Sequence, residues 1–248
     1  MEVCERTCVT WCAVLECWRL KFIVIDDTKE FLYNTIGEYQ DVVLSCSFGA
    51  AEGMIIIDMI HDIRLRVPVF VLDTGRLPQE THNLIDRIRD RYDVDIDIIF
   101  PDSNELFDLV KTRGPNCFLD SVSNRKLCCH VRKVAPMKRY MENKGYKAYI
   151  SGVRKGHSEE RSKAKRIEKQ ADGMIKINPL CDWTYTDVWE YVNANNVPVN
   201  KLHAKGYESI GCDPCTRPGK GRDGRWWWEN SNKECGIHDY GHTDGSGI

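Results

Sequence analysis

Residues 44–53 read LSCSFGAAEG, where an apolar run meets a turn of small residues and then the start of a helical pattern. The apolar run covers 41–46 (DVVLSC), and the helical pattern continues through 52–65 (EGMIIIDMIHDIRL). A buried strand that passes through a tight turn into a helix is typical of a strand–helix–strand unit. We therefore predict that the chain is built around a parallel sheet.

The same alternation continues along the chain. Runs rich in Val and Ile predict four further strands, at 67–73, 94–99, 147–153 and 174–180. Helical patterns are present at 77–92 and 131–145, and a capped helix is predicted from residue 184 to just before Pro198. This order predicts an α/β fold with helices on both faces of the sheet. Ligands of such sheets bind beyond the carboxyl ends of the strands, so the loops there are candidate sites.

Composition limits the class of protein. Hydrophobic residues make up 42% of the 248 positions, and no run approaches the roughly 18 apolar residues of a membrane span. The first twenty residues carry Glu2, Glu5, Arg6 and Glu16 without an uninterrupted apolar run, which is unlike a secretion signal. We therefore expect a soluble, cytoplasmic protein. In that reducing compartment the 12 cysteines indicate metal binding or thiol chemistry rather than disulfides.

Charge is unevenly distributed. The net charge of −2 argues against general nucleic-acid binding. Residues 125–169, however, carry 15 Lys and Arg against four Glu. This segment could bind an anion, although a solvated basic helix is the simpler explanation of a charge run alone.

Two loops at the predicted sheet edge could hold a nucleotide. The small residues of LSCSFGAAEG allow backbone N–H groups to surround a phosphate, but the loop matches neither GxxxxGK[ST] nor GxGxxG. The second loop, LDTGRLPQET (72–81), places Asp73, Thr74 and Gly75 at the same edge. Asp73 or Thr74 could instead cap the following helix. Side by side, the two loops favour a nucleotide site.

Four cysteines form two pairs. Cys128 and Cys129 are adjacent, and Cys212 and Cys215 form a Cys-x-x-Cys about 80 residues downstream. Four thiolates can hold Zn²⁺ or an iron–sulfur cluster. Adjacent cysteines fit a cubane better than a tetrahedral ion, which places a cluster modestly ahead of zinc. Buried cysteines without a metal are the third alternative.

The end of the sequence contains a candidate nucleophile. Cys235 stands three residues before His238 in KECGIH (233–238), and RDGRWWWE (222–229) supplies Arg222 and Arg225. Cations that lower the pKa of a cysteine activate it as a nucleophile. A metal half-site with His238 and an inert thiol remain alternatives.

Taken in this order, the motifs resemble those of the assimilatory sulfonucleotide reductases, in particular the adenylyl-sulfate (APS) reductase branch. The matching stretches are SFGAAEG, LDTGRLPQET, CCHVRKVAPMKRY, SGVRKGHSEER, NPLCDWTYTDVW, YESIGCDPCTRP, GRDGRWWWE and KECGIH, which together extend over roughly residues 40–238. The resemblance implies a Rossmann-like ATP-pyrophosphatase (adenine nucleotide alpha hydrolase-like) fold with an irregular C-terminal segment.

The resemblance also implies a site and a reaction. Cys128, Cys129, Cys212 and Cys215 would ligate a [4Fe–4S] cluster, and Cys235 would attack the sulfur of APS to give an S-sulfocysteine and AMP. A separate thioredoxin- or glutaredoxin-like protein would then release sulfite. Substrate would be bound by Ser47, Gly49, Asp73, Thr74, Gly75, Lys133, Arg154, Arg222 and Arg225.

The sequence departs from the family in several places. The phosphate loop ends in Glu52-Gly53 rather than Glu-Asp, and Cys4, Cys8, Cys12 and Cys17 lie in an unmatched N-terminal segment. We divide the chain into that segment (1–30), the nucleotide-binding domain (31–210) and a C-terminal segment (211–248). The competing functions are a 3′-phosphoadenylyl-sulfate (PAPS) reductase and a zinc-stabilised nucleotide-binding module without activity. A homo-oligomer is compatible with the sequence.

Overall fold

The computed structural model describes residues 23–159 and 161–229. Its helices and strands follow one another as α1 (23–38), β1 (Val42–Ser45), α2 (Ala51–Asp62), β2 (Val69–Leu72), α3 (Gln79–Tyr92), β3 (Ile96–Ile99), α4 (Ser103–Arg113), α5 (Val122–Cys129), α6 (Ala135–Lys144), β4 (Ala148–Ser151), β5 (Ile167–Lys169), β6 (Ile175–Ile177) and α7 (Tyr185–Ala194). No helix in these described ranges is long and apolar enough to cross a membrane.

The strands form one sheet in the order β3-β2-β1-β4-β6-β5. All neighbouring strands are parallel except β5 and β6. The five predicted strands are therefore confirmed. At its carboxyl end β1 pairs with both β2 and β4, since Ser45 lies opposite Phe70 and opposite Ser151. The strand order reverses there, which is where α/β sheets bind ligands.

Alternation along the strands explains why helices cover both faces. Val42 and Leu44 of β1 belong to the larger core, which also contains the buried side of α2. Val43, between them, packs with Tyr140 and Met141 of α6 on the opposite face. Successive side chains of a strand point to opposite faces, so one apolar strand supplies both cores.

A π-helical turn, His130–Val134, joins α5 to α6. The predicted helix at 131–145 is therefore the second half of a longer helical segment that starts at Val122. π turns inside α-helices insert an extra residue and are frequent at functional sites. This turn follows Cys128 and Cys129 directly and contains Lys133.

Residues 211–229, the described part of the C-terminal segment, fold onto the sheet domain. The Asp213 N–H donates to the Arg76 carbonyl, and the Trp226 N–H donates to the Cys215 carbonyl. The Trp226 side chain is 1% exposed and packs in a small core beside α5. The bond from Asp213 attaches this irregular stretch to the loop after β2, the bond from Trp226 joins two parts of the stretch, and the buried indole packs it against the domain.

Candidate active site

A cleft of about 180 Å³ opens at the carboxyl ends of β1 and β4. Ser47 and Gly49 of the loop after β1 line it, as do Gly152 and Val153 after β4. The short loop at residues 208–211 forms another part of its lining. The reversal of strand order separates the loops after β1 and β4, which leaves room between them for a ligand.

The cleft is rich in positive charge. Lys133, Arg161, Arg222 and Arg225 line it, together with one carboxylate, Glu208. That carboxylate is engaged, because Glu208 accepts a hydrogen bond of 2.6 Å from the Gly221 N–H. A partly enclosed group of cations suits an anionic ligand, since attraction is stronger where water is excluded.

Arg154, predicted to bind substrate, lies behind the cleft and is not part of its lining. Its guanidinium donates from Nε to Oε1 of Glu52 at 2.6 Å, and both side chains are nearly inaccessible to solvent. Burial alone would raise the pKa of Glu52, but the hydrogen bonds from His157 and Arg154 and the charge of Arg154 outweigh it and hold the pKa well below its ordinary value. Glu52 is therefore ionised, and Arg154 neutralises it.

Asp73, Thr74 and Gly75 are not part of the cleft lining, and Thr74 lies beside one of the cysteines. The Asp73 carboxylate accepts the Gly75 N–H at 2.9 Å and contacts His82 Nε2 at 2.9 Å. The Thr74 hydroxyl lies 3.2 Å from the Cys212 sulfur. The capping alternative is wrong, since α3 begins after Pro78 and has no side-chain cap.

Three of the four paired cysteines pack together. Cys128, Cys212 and Cys215 belong to one small buried core, and Cys129 is equally buried beside Cys128. Burial and the neighbouring Cys212 raise the pKa of Cys215 to about 12, although the charges of Lys133 and Arg225 oppose the increase. Lys133 is thus close to the cysteines and also lines the cleft.

The surroundings of these cysteines fit a negatively charged sulfur ligand. Arg132 is 7% exposed and donates to the Thr74 carbonyl, but its buried Nε has no hydrogen-bond partner. The indole N–H of Trp228, which packs against the same core, also has none. Donors buried without partners are costly unless a bound group satisfies them. Among the described residues, no three His, Cys, Asp or Glu side chains are grouped as a site for a single metal ion.

Two cleft residues were missed by the sequence analysis. Arg161 and His157 both line the cleft and lie 3.3 Å apart, from Arg161 Nη1 to His157 Nδ1. Both belong to SGVRKGHSEER, the stretch that contains the predicted substrate-binding residue Arg154. The signal was the second arginine of that stretch, which stands beyond the short helical turn Lys155–His157.

Several predicted residues lie outside the described ranges. These are Cys235 and His238 near the end, and Cys4, Cys8, Cys12 and Cys17 near the start. Of the other predicted substrate-binding residues, Ser47, Gly49, Lys133, Arg222 and Arg225 come together in the cleft.

Known proteins resemble the chain in sequence. A model of the phosphoadenosine phosphosulfate reductase domain matches residues 41–218. Adenosine 5′-phosphosulfate reductase from Burkholderia cepacia is 46% identical over 213 residues, covering 84% of this chain and 84% of that protein. The protein of the same name from Allochromatium vinosum is 42% identical over 215 residues, covering 84% and 83%.

Solved structures resemble it in fold. Phosphoadenylyl-sulfate reductase from Candida auris, solved as a phosphate complex, superposes with a TM-score of 0.66 at 29% identity, covering 77% of this chain and 90% of that one. FMN adenylyltransferase from Candida glabrata reaches 0.60 at 15% identity over 82% and 65%, which reflects the fold alone. The fold is that of the adenine nucleotide alpha hydrolase-like proteins, and the chain belongs to the phosphoadenosine phosphosulfate reductase family.

Proposed function

We propose that the chain is an oxidoreductase of sulfate assimilation that reduces APS to sulfite and AMP with electrons from a thioredoxin-like protein. The observation that carries the proposal is Lys133, which lines the cationic cleft and lies close enough to Cys215 for its charge to oppose part of the burial-driven increase in the pKa of that thiol. Relatives named for the same reaction, at 42–46% identity, support the choice of substrate.

Anion binding by the cleft is the first requirement of the reaction. The phosphosulfate of APS carries about two negative charges, and a thiolate that approaches it is repelled. Lys133, Arg161, Arg222 and Arg225 offset that repulsion because they line the same cleft. Ser47 and Gly49 would contact the nucleotide from the loop after β1.

Sulfur chemistry follows in two steps. The Cys235 thiolate attacks the sulfur of APS, an S–S bond forms, and the bond from sulfur to the bridging oxygen breaks, so AMP leaves with the electron pair. A thiol of the reductant then attacks Cys235 Sγ and releases sulfite. The second thiol of the reductant resolves the mixed disulfide, which oxidises the reductant and restores the Cys235 thiol.

We also propose that Cys128, Cys129, Cys212 and Cys215 hold a [4Fe–4S] cluster. When bound, the cluster would fix the four thiolates and add a local charge beside Lys133. The unpartnered buried donors of Arg132 and Trp228 support a sulfur-rich anionic group. Iron fits the four thiolates better than zinc, because Cys128 and Cys129 are adjacent and a cubane offers a separate iron atom to each sulfur.

A reducing compartment suits this chemistry, and we place the protein in the cytoplasm. All seven described cysteines are free of disulfides. Thiols that must ligate iron or exchange with a reductant persist where glutathione and thioredoxin keep them reduced.

The function is tested on the full chain purified without oxygen. Incubation with APS and no reductant should add one sulfonate group to Cys235, as measured by mass spectrometry, and thioredoxin with its reductase should then release sulfite. Cys235→Ser should abolish both. Retained turnover in that variant, or sulfite release from PAPS alone, would overturn the proposal.

The cluster has a separate test. Cys215→Ser should lose iron and acid-labile sulfide. Cys181→Ser should keep both, because that buried cysteine donates to the Ala164 carbonyl and does not belong to the small core that contains Cys215. Zinc in the wild-type protein in place of iron would refute the cluster.

A further inference from the structure

Glu52, His157 and Arg161 form a hydrogen-bonded series that ends in the cleft. Glu52 Oε1 lies 3.0 Å from His157 Nε2, and His157 Nδ1 lies 3.3 Å from Arg161 Nη1. Glu52 is 3% exposed in the first turn of α2, whereas His157 and Arg161 line the cleft. The imidazole therefore connects a buried carboxylate with a cation at the ligand-binding surface.

Hydrogen-bond roles fix the protonation state of this imidazole. The Glu52 carboxylate is ionised and can only accept, so His157 Nε2 must carry a hydrogen. The Arg161 guanidinium can only donate, so His157 Nδ1 must accept. One ring with one donor and one acceptor is the neutral Nε2–H tautomer. A proton on Nδ1 would place an N–H donor opposite the N–H donors of the guanidinium, and no hydrogen bond could form between them.

The carboxylate is itself held in place. Arg154 Nε binds the same oxygen, Glu52 Oε1, at 2.6 Å, and Arg154 also donates to the Trp183 carbonyl. Gly152 provides the necessary space, since a Cβ there would lie 2.9 Å from the Glu52 Cβ. Glu52 thus has little freedom to turn away from His157.

We propose that His157 is a positioning residue: fixed by Glu52 as the Nε2–H tautomer, it accepts a hydrogen bond from Arg161 and orients that guanidinium toward the anionic part of the substrate. Arg161 is the group that touches the ligand, and His157 acts through it. The proposal rests on the proposed function for the identity of the anion, but the tautomer follows from the contacts alone.

The kinetic test compares two substitutions with a matched control. His157→Leu should raise the KM for APS about tenfold and leave kcat within about twofold, because Arg161 loses the hydrogen bond that orients it while the reacting groups are unchanged. His157→Gln should restore most of the KM, because an amide can donate to Glu52 and accept from Arg161. Lys155→Ala changes an exposed residue of the same turn, paired with Asp182, and should behave as wild type.

A spectroscopic test is independent of activity. In the full-length protein labelled with ¹⁵N-histidine, the signal that disappears in His157→Gln should show an unprotonated Nδ1 and a protonated Nε2 at pH 7. Protonated Nδ1 would overturn the inference, as would an unchanged KM in His157→Leu or a His157→Gln variant as impaired as His157→Leu. If the wild-type protein releases no sulfite from APS, the proposed function fails while the tautomer assignment is still decided by the spectrum.

Discussion

Arg125 and Glu229 form a two-point ion pair that is almost completely shielded from solvent. Arg125 Nε lies 3.1 Å from Glu229 Oε1 and Arg125 Nη2 lies 3.0 Å from Oε2, with side chains 1% and 4% exposed. The Trp226 ring covers the guanidinium, whose Cζ lies 4.7 Å from the ring centroid. The pair joins α5, which ends in Cys128 and Cys129, to the segment that leads to Cys235.

Removal of one partner of this pair should destabilise the folded protein. Arg125→Met leaves the Glu229 carboxylate buried without a counter-charge, and we expect a loss of about 3–5 kcal/mol in the free energy of unfolding. The double substitution Arg125→Met with Glu229→Met should recover most of that loss. Denaturant unfolding of the anaerobic protein measures both.

An exposed pair provides the control. Arg139 and Glu105 make a similar contact at 2.7 Å, but about two fifths of each side chain is exposed. Arg139→Met should therefore cost less than about 1 kcal/mol. Equal losses for Arg125→Met and Arg139→Met would contradict the importance given to burial.

The same ion pair should matter for turnover. Cys235 stands six residues beyond Glu229, so the intervening chain can span at most about 20 Å from that anchor. Glu229→Ala should lower kcat for sulfite formation more than it raises the KM for APS, because the cleft itself stays intact. A change confined to KM would contradict a role of the anchor in presenting the nucleophile.

The strands and helices that the sequence predicted correctly are those with strong local sequence patterns. The five strands were readable because each carries a Val- or Ile-rich run, and the capped helix because Thr184 and Asp187 form a capping box. The edge strand β5 was missed because its three residues, Ile-Glu-Lys, are exposed or half-buried and contain no apolar run. α4 was missed for the same reason, since only Leu109 of its residues is buried.

The partners of individual side chains in the site could not be predicted from the sequence. Arg154 and Arg161 are both arginines of one motif, and only the three-dimensional contact with Glu52 shows that Arg154 is committed to a buried carboxylate. The position of Thr74 at the Cys212 sulfur likewise depends on a contact between residues 138 positions apart. The order of the motifs predicts which segments form the site. The position of each side chain within the site depends on contacts between residues that are far apart in the sequence.

Gly53 and Cys46 should be coupled. A Cβ on Gly53 would lie 2.6 Å from the Cys46 sulfur, and both residues are buried. Gly53→Ala should therefore destabilise the protein by about 1–3 kcal/mol through overpacking. In a Cys46→Ala background the same substitution should stabilise it by about 0.5–1 kcal/mol, because alanine favours the helical conformation of α2. Thermal unfolding of the four proteins measures this double-mutant cycle, and additive effects would refute the coupling.

Glu52 should make stability depend on pH in the acid range. The folded-state pKa of about 2 lies below the ordinary value of 4.5, so the ionised form stabilises the fold at pH values above about 4.5. That stabilisation decreases as the pH falls from about 4.5 toward the folded-state pKa. Glu52→Gln lacks the titration. The difference in the free energy of unfolding between wild type and Glu52→Gln, measured with denaturant, should therefore be largest at neutral pH and become smaller below pH 4.5. A difference that stays constant from pH 7 to pH 3 would contradict the low pKa of Glu52.

Lys133 should bind substrate electrostatically without holding the metal. It lines the cleft, and its charge also opposes part of the burial-driven increase in the pKa of Cys215. Lys133→Ala should raise the KM for APS about tenfold or more, since a charge-assisted contact of about 1.4 kcal/mol or more is lost. Lys138→Ala is the matched control: this lysine of α6 is 56% exposed, pairs with Glu142 and lies outside the cleft lining.

Ionic strength separates a charge effect from a general loss of structure. Salt screens attraction between exposed or partly exposed charges, so the wild-type KM should rise with salt. The KM of Lys133→Ala should rise less steeply, and its iron content should match that of Lys138→Ala. If the KM of the wild type and the KM of Lys133→Ala rise equally with salt, the lysine makes no electrostatic contribution to substrate binding. If Lys133→Ala loses iron, the lysine instead stabilises the cysteine group.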